Sequence, residues 1–403
     1  MTLLKTGILI TKRGFLISAL VFVLFHTLHL IFSAIISRHL VLSPDNRLLA
    51  HASFNFMVAI TLIPSSFIVD KVNKVRSIYL SSLAILFLTI ILFIVPNDYL
   101  RIAVLLVIGT FFSLGLLALL SYFWTLTSSE ERGRIAGFIG FVALPINFIA
   151  AYIIAPNIDF ISTLTISIVA SLGIAVIGLL MPKKSVLTRK IKSEEIYFEK
   201  RTVALYSIPW IIFSLVNVTL AKNTSLIISQ QVSASSYLSL LELQLIGVTF
   251  GSIIGGIIAD FFGRRLSLAF SLTSYGTSAA LIGIFTNNEV LSLAYFTNGL
   301  SWGILFILYI FVIFGDLANK ANSAKMYSFG LAIYYLTLGI GIVEQIMIPL
   351  TISSLATCLL IFLLNIPVLL SPELLSSSFR ERIGRKRYLN TVKKIDKKSN
   401  QEE

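Results

Sequence analysis

The chain of 403 residues has one cysteine, Cys358, which excludes an internal disulfide framework. Charged residues are scarce: 13% of the chain, against 56% hydrophobic residues and a mean hydropathy of +0.91. Soluble domains carry about twice that share of charge, so an ordinary soluble globular protein is excluded. The phosphate-binding pattern G-x-x-x-x-G-K-[ST] is missing, which argues against ATP as a direct energy source. No set of side chains converges on a metal or a catalytic centre, so no cofactor is expected and the chain does not read as an enzyme. No small-residue cleavage site follows the first apolar run, which is read as a retained helix after Lys5, Lys12 and Arg13. The net charge of +13 does not point to nucleic acid. Its charges lie in short connections between apolar runs and in the C-terminal segment.

What is present is a near-continuous series of apolar runs, each about the 20 residues that cross a bilayer core. Twelve spans are expected, at 14–37, 48–69, 77–96, 100–124, 135–156, 160–181, 203–221, 236–259, 266–285, 290–314, 326–349 and 351–370. An even number puts both termini on one side. With that side cytoplasmic, only Arg38, Arg47, Arg101 and Lys222 of the 32 Lys and Arg residues fall outside. Short loops with that asymmetry follow the positive-inside rule. The location expected is therefore a cell membrane, with both termini cytoplasmic.

Between the eighth and ninth spans the chain reads GSIIGGIIADFFGRR, from Gly251 to Arg265. Asp260 ends one apolar helix, Gly263 suits a turn with positive φ, and Arg264 and Arg265 precede the next. Gly256 lies one helical turn before Asp260, where a neighbouring helix can approach closely. Gly256, Asp260, Gly263, Arg264 and Arg265 match a G-x-x-x-D-x-x-G-R-R pattern. The same pattern returns 190 residues earlier in weaker form: Asp70 ends a span, Asn73 takes the turn position and Lys74 stands where Arg264 stands. The offset also maps the loop Ser128 to Arg134 onto Ala318 to Ala324. The basic connection Pro182 to Thr202 divides the spans six and six.

The motif, its weaker copy and the paired halves resemble the major facilitator superfamily of transporters. The resemblance implies an all-α integral membrane protein with twelve transmembrane helices in two pseudo-symmetric six-helix bundles. The expected organisation is an N-terminal bundle at 1–181, a basic cytoplasmic linker at 182–202, a C-terminal bundle at 203–370 and a basic tail at 371–403. That tail, with Arg380, Arg382, Arg385, Lys386, Arg387, Lys393 and Lys394, reads as a solvated extension; a docking segment is the alternative.

In this family the signature loops form a cytoplasmic gate, which the resemblance assigns here to Asp70, Lys74, Gly256, Asp260, Gly263, Arg264, Arg265 and Asp316. Asp260 is expected at the N-terminal end of the eleventh helix, whose dipole favours a carboxylate. Asp70 and Lys74 are expected to repeat the arrangement between the second and fifth spans. Asp316 is the expected partner of Arg264 or Arg265, and Glu130, Glu131, Arg132 and Arg134 offer charges in the first half.

Ionisable groups inside a membrane are costly and therefore candidates for function. His26 and His29 share one face of the first span, and His26 lies about 20 Å past Arg13, near the midplane. A histidine pair can take protons near neutral pH or donate hydrogen bonds to a solute; a buried structural pair is the alternative. Glu242 and Glu344 lie about 27–29 Å from the inner surface, as a proton carrier or outer gate, or merely in a wet vestibule. The family's pathway helices add Tyr122, Trp124, Asn217, Asn298, Trp302 and Tyr309. Rings and amides suit a neutral organic solute.

Two subgroup patterns are missing. Arg101 is the fourth span's only arginine and lies at its outer edge, and Leu144 replaces the glycine that precedes proline in drug antiporters. Ser371-Pro372-Glu373 resembles the twelfth-span ending of sugar porters, whereas Met181-Pro182-Lys183 does not match the sixth. The expectation is a monomeric secondary transporter for a small-molecule solute, in a lipid bilayer, with protons as coupling ion. Efflux of amphipathic compounds, uniport and a transporter-like sensor stay open.

Overall fold

The computed structural model describes residues 10–148, 159–181, 200–231, 234–319, 321–344 and 353–375, and among these there is helix and turn but no strand. The helices are α1 Lys12–Ala34, α2 Pro44–Lys71, α3 Lys74–Ile94, α4 Asp98–Leu126, α5 Arg132–Phe148 and α6 Phe160–Leu180. They continue with α7 Lys200–Gln231, α8 Ala234–Phe262, α9 Arg264–Ile284, α10 Asn288–Ile307, α11 Ser323–Val343, α12 Ser354–Leu363 and α13 Asn365–Leu370. Helix α1 runs on through a π-helical turn to His39, and α10 through π-helix Leu308–Ile313 to Asp316. Among the described residues, ten helical stretches are long and apolar enough to cross a membrane. The stretch Ser354–Leu370 is shorter, as is the described part of α5. The linker 182–199, the tail from 376 onward and 149–158 lie outside the described residues.

Helix starts follow capping chemistry, because the first backbone N–H groups of a helix need acceptors. Ser43 Oγ accepts from Asn46 N–H, and Asn97 Oδ1 from Tyr99 and Leu100. Asn287 Oδ1 takes Glu289 N–H, and Ser353 Oγ takes Ala356 N–H. Such caps extend several spans beyond their apolar cores, so α3 begins at Lys74 rather than 77.

The offset of 190 holds at the level of helices. Added to the bounds of α3 it gives those of α9, and added to α4 it gives 288–316, which is α10 with its continuation. Packing repeats as well: α2 and α3 lie against α4, α8 and α9 against α10, α3 on α6 and α9 on α12.

The most extensive contacts between the early and the late helices are α5 on α8 and α2 on α11, with smaller ones of α4 on α11 and of α5 on α10. In lipid, helices gain nothing from hiding apolar surface from one another, so close backbone approach carries the association. A Cβ built on Gly137 of α5 would lie 2.7 Å from the carbonyl oxygen of Ser252 in α8, and one on Gly256 would strike the backbone of Gly133. Gly256 is therefore a point of close backbone approach between α8 and α5. Large apolar side chains, among them Ile60, Phe87, Val169 and Leu359, lie exposed around the outside.

Candidate functional site

Where α8 meets α5, a buried ion-pair network closes one end of the bundle. Asp260 and Arg264 have no exposed surface. Asp260 Oδ1 accepts from Gly133 N–H at 3.0 Å and from Arg264 Nη1 at 2.8 Å. Its Oδ2 accepts from Arg134 N–H at 2.8 Å and from Arg134 Nε at 3.1 Å. Arg264 Nε donates to Asp316 Oδ2 at 2.7 Å, Nη1 to the Ala259 carbonyl at 2.6 Å, and Nη2 to the Ser129 carbonyl. Asp316 Oδ1 also pairs with Arg132 Nη1. Arg134 lies over the Phe261 ring, 5.2 Å from its centre. Each of the three arginines thus pairs with one of the two acids, with one positive charge in excess, and most of the hydrogen-bonding capacity is used, which lowers the cost of burying charge.

One expectation is corrected here. Asp260 meets the N-terminal turn of α5, not that of the eleventh helix. The copy is crossed in the same sense: Asp70 Oδ1 accepts from Ala324 N–H at 3.0 Å, at the start of α11 rather than the fifth helix. The reason is packing. With α5 on α8 and α2 on α11, each carboxylate faces a helix from the other half of the repeat. The offset survives, since Arg134 and Ala324 are 190 residues apart.

The weaker copy is weaker in structure too. Lys74 Nζ donates to the Ser121 carbonyl at 3.2 Å and to Ser323 Oγ at 3.1 Å, and lies 5.7 Å from the centre of the Trp124 ring. Ser121 and Ser323 share a hydrogen bond of 2.7 Å, and Trp124 Nε1 donates to the Gly315 carbonyl at 2.8 Å. The place of Asp316 is taken by Leu126, so that carboxylate has no counterpart beside Lys74, and Asp70 Oδ2 is buried with no described partner.

The two turns solve their geometry differently. Gly263 has φ +106°, the one positive value among the described residues. Asn73 has φ −63° and does not enter the left-handed region; it caps α3 instead, its Oδ1 accepting from Val75 and Arg76 N–H. Gly263 cannot cap, and Glu373 does so from just beyond α13. Its carboxylate accepts from Arg264 N–H at 2.8 Å and Arg265 N–H at 3.2 Å. Sequence reasoning noticed Pro372-Glu373 but not this use of it. Arg265, expected in the gate, stands outside the ion-pair network; its Nη1 reaches the Leu369 carbonyl at 3.4 Å.

Deeper in the bundle, His26 and His29 lie between the halves among rings. His26 stacks on Phe22 with 5.8 Å between centres and meets Phe306 of α10 edge-on at 6.4 Å. His29 is buried, 5.1 Å from the ring of Tyr335 in α11, and its Nε2 is 3.3 Å from Asn55 Oδ1. The two rings are 6.3 Å apart.

Next to them, Phe306 helps line a cavity of about 20 Å³, room for about one water in this closed arrangement, with Trp210, Phe213, Asn217, Trp302 and Tyr334, together with Ser214, Val218, Thr337 and Leu338. Trp302 and Phe306 are parallel, with centres 5.0 Å apart. Asn217 Oδ1 accepts from Tyr275 Oη at 2.7 Å. Asn217 and Trp302 are therefore brought to one place, together with aromatics that the sequence had not singled out. Asn298 sits behind, bonded to Gln244 and Ser278. Tyr309 stacks on Trp210 at 4.6 Å between centres, and its hydroxyl is buried without a described partner. Tyr122 is buried near the charged end. Glu344 ends α11 and accepts from Thr219 Oγ1 at 3.3 Å, while Glu242 is exposed on α8. Glu242 and Glu344 do not line that cavity.

No protein-family model and no curated protein matches the sequence. Solved structures do match its fold. The transporter FucP, of the major facilitator superfamily and in its outward conformation, superposes with a TM-score of 0.64 at 12% identity, covering 88% of this chain and 97% of that one. The proton:xylose symporter XylE, bound to 6-bromo-6-deoxy-D-glucose, gives 0.66 at 12% identity over 92% and 98%. The human organic anion transporter MFSD10 gives 0.69 at 9% identity over 89% and 99%. The fold is that of major facilitator superfamily transporters.

Proposed function

We propose that a chain with this fold is a secondary transporter, carrying a small neutral organic solute by alternating access between two six-helix bundles. The observation that carries the reading is the crossed ion-pair network: Asp260, Arg264 and Asp316 from the late helices engage Arg132, Arg134 and Ser129 from the early ones. These contacts exist only while the two bundles are together at that end, so they bias a two-state equilibrium. Asp70 and Lys74 form the lighter latch between α2 and α11. We assign this end to the cytoplasm, from the distribution of lysine and arginine.

The solute reading rests on the cavity lining. Trp210, Trp302, Phe306 and Tyr334 offer ring faces, and Asn217, Ser214 and Thr337 offer hydrogen bonds, with no charged side chain among the lining residues. A charged solute taken out of water would meet no counter-charge there. This favours a neutral solute over an anion such as MFSD10 takes, and uptake is our working direction. Proton coupling is assigned to His26 and His29, which border the cavity through Phe306. Two of the solved neighbours are proton symporters for sugars.

The test is reconstitution into vesicles. Candidate solutes are chosen by a thermal-shift screen on the purified chain, and uptake is followed with a pH dye in the lumen. Solute flux with lumenal acidification is expected. Flux without a pH change would remove the proton step. A ligand that binds without flux would turn the reading into that of a sensor.

A further inference from the structure

On the outer surface, α9 and the last helical stretch, α12 with α13, leave an open groove lined by Leu266, Phe270, Thr273, Phe362, Asn365 and Leu369. Leu266 and Leu369 mark one end and are 53% and 51% exposed. Arg265 sits on that rim, since its Nη1 donates to the Leu369 carbonyl at 3.4 Å. Its Nε is shielded from solvent and donates to no described acceptor. The nearby Glu373 carboxylate is already engaged by the backbone N–H groups of Arg264, Arg265 and Leu375.

A polar pair lies between Leu369 and Phe362 along the groove. Asn365 Nδ2 donates to Thr273 Oγ1 at 3.3 Å, while Asn365 Oδ1 is buried with no described partner. Thr273 is nine residues beyond Arg264, or about 13 Å along the helix. That falls just short of half a hydrocarbon core of about 30 Å. The groove therefore has the depth of one leaflet, with a guanidinium at headgroup level and apolar walls below it.

We propose that this groove holds one anionic phospholipid of the leaflet on the Arg265 side. An acyl chain lies along Phe270 and Phe362, and the phosphate takes hydrogen bonds from Arg265. Basic pockets at the cytoplasmic ends of membrane helices attract anionic headgroups, and a guanidinium presents several donors to a phosphate at once. A zwitterionic lipid supplies the same chain but brings its own cation, so Arg265 discriminates against it. The site lies on the outside of the bundle and does not depend on whether the protein carries a solute.

The experiment uses the full chain in phosphatidylcholine nanodiscs with a trace of phosphatidylglycerol bearing a diazirine in one acyl chain. After illumination, labelled peptides are mapped by mass spectrometry. Labelling concentrated at 266–273 and 362–369 is expected, competed several-fold better by unlabelled phosphatidylglycerol than by further phosphatidylcholine. Arg265→Gln should abolish that preference while chain labelling persists, and Arg265→Lys should retain most of it. Labelling spread evenly over the lipid-facing helices would overturn the proposal. So would equal competition by the two lipids, or an undiminished preference in Arg265→Gln.

Discussion

Asp260, at the end of α8, accepts from both the backbone N–H and the side-chain Nε of Arg134, 126 residues earlier in the chain. One carboxylate thereby caps α5 and neutralises a buried guanidinium from the other half of the repeat. It also holds Arg264 from its own half. Removing it disturbs all three relationships at once.

Asp260→Asn should open the charged end. Breaking a buried, hydrogen-bonded pair by removing one partner costs about 3–5 kcal/mol, and only the closed state contains the contact across the halves. With Cys358→Ser as background, a cysteine at Tyr122, buried near that end, reports the opening. Labelling by a water-soluble maleimide should be at least about tenfold faster in Asp260→Asn, the ratio for roughly 1.4 kcal/mol. Equal rates would show that the network does not latch the bundles.

Asp70→Asn should be mild. The amide oxygen can still accept from Ala324 N–H, and Asp70 Oδ2 has no described partner to lose. The loss is then mainly the interaction with the helix end and with Lys74, where a helix-end charge contributes about 0.3–1 kcal/mol. In the same maleimide assay the increase should stay within a few-fold. An effect as large as that of Asp260→Asn would contradict the difference between the two latches.

Gly256→Leu should separate α8 from α5, since even a Cβ at this position strikes the Gly133 backbone. Overpacking costs about 1–3 kcal/mol, more where backbone must move. The expected result is a lower unfolding temperature together with faster maleimide entry at Tyr122→Cys. Gly173→Leu on α6 is the control: a Cβ there meets only Leu24, at 3.4 Å, and little change is expected.

His29→Gln should uncouple protons without removing binding. Glutamine can keep a hydrogen bond to Asn55 but cannot take up a proton in this range. In vesicles, solute-driven lumenal acidification should disappear while solute exchange at equal concentrations persists. Acidification at the wild-type rate would take His29 out of the coupling step.

Asn217→Ala and Trp302→Ala should weaken solute binding from two sides, one by a lost hydrogen bond and the other by a lost ring face. A net hydrogen bond contributes about 0.5–1.5 kcal/mol, so a ligand's Kd should rise about twofold to thirteenfold in Asn217→Ala. Unchanged thermal shifts in both variants would move the binding site away from this cavity.

A cysteine at Phe262, which is exposed beside the α8–α9 turn, tests the orientation. In the Cys358→Ser background it should react with an impermeant reagent only after cells are opened. Reaction in intact cells would place the turn outside.

Much of this molecule is local, and local features are legible in a sequence. Apolar runs long enough to cross a bilayer and a positive-φ turn that suits Gly263 depend on near neighbours, and an offset of 190 residues can be counted along the chain. The halves could be matched by counting, and the matching holds for α3 with α9 and α4 with α10. Which half each carboxylate addresses could not be counted. Asp260 and Asp70 each stand at the end of a helix, and every helix start in reach offers the same free N–H groups. The choice of α5 for Asp260 was made by backbone approach at Gly256, Gly133 and Gly137, and that of α11 for Asp70 by the packing of α2 on α11, each a property of two surfaces together. Glu373 reaches Arg264 across more than a hundred residues for the same reason. The cavity wall Phe306 meets His26 for the same reason, since the two rings come from different halves. The pattern of residues thus determined the helices, their number of repeats and the chemistry at their ends, while packing decided which ends meet.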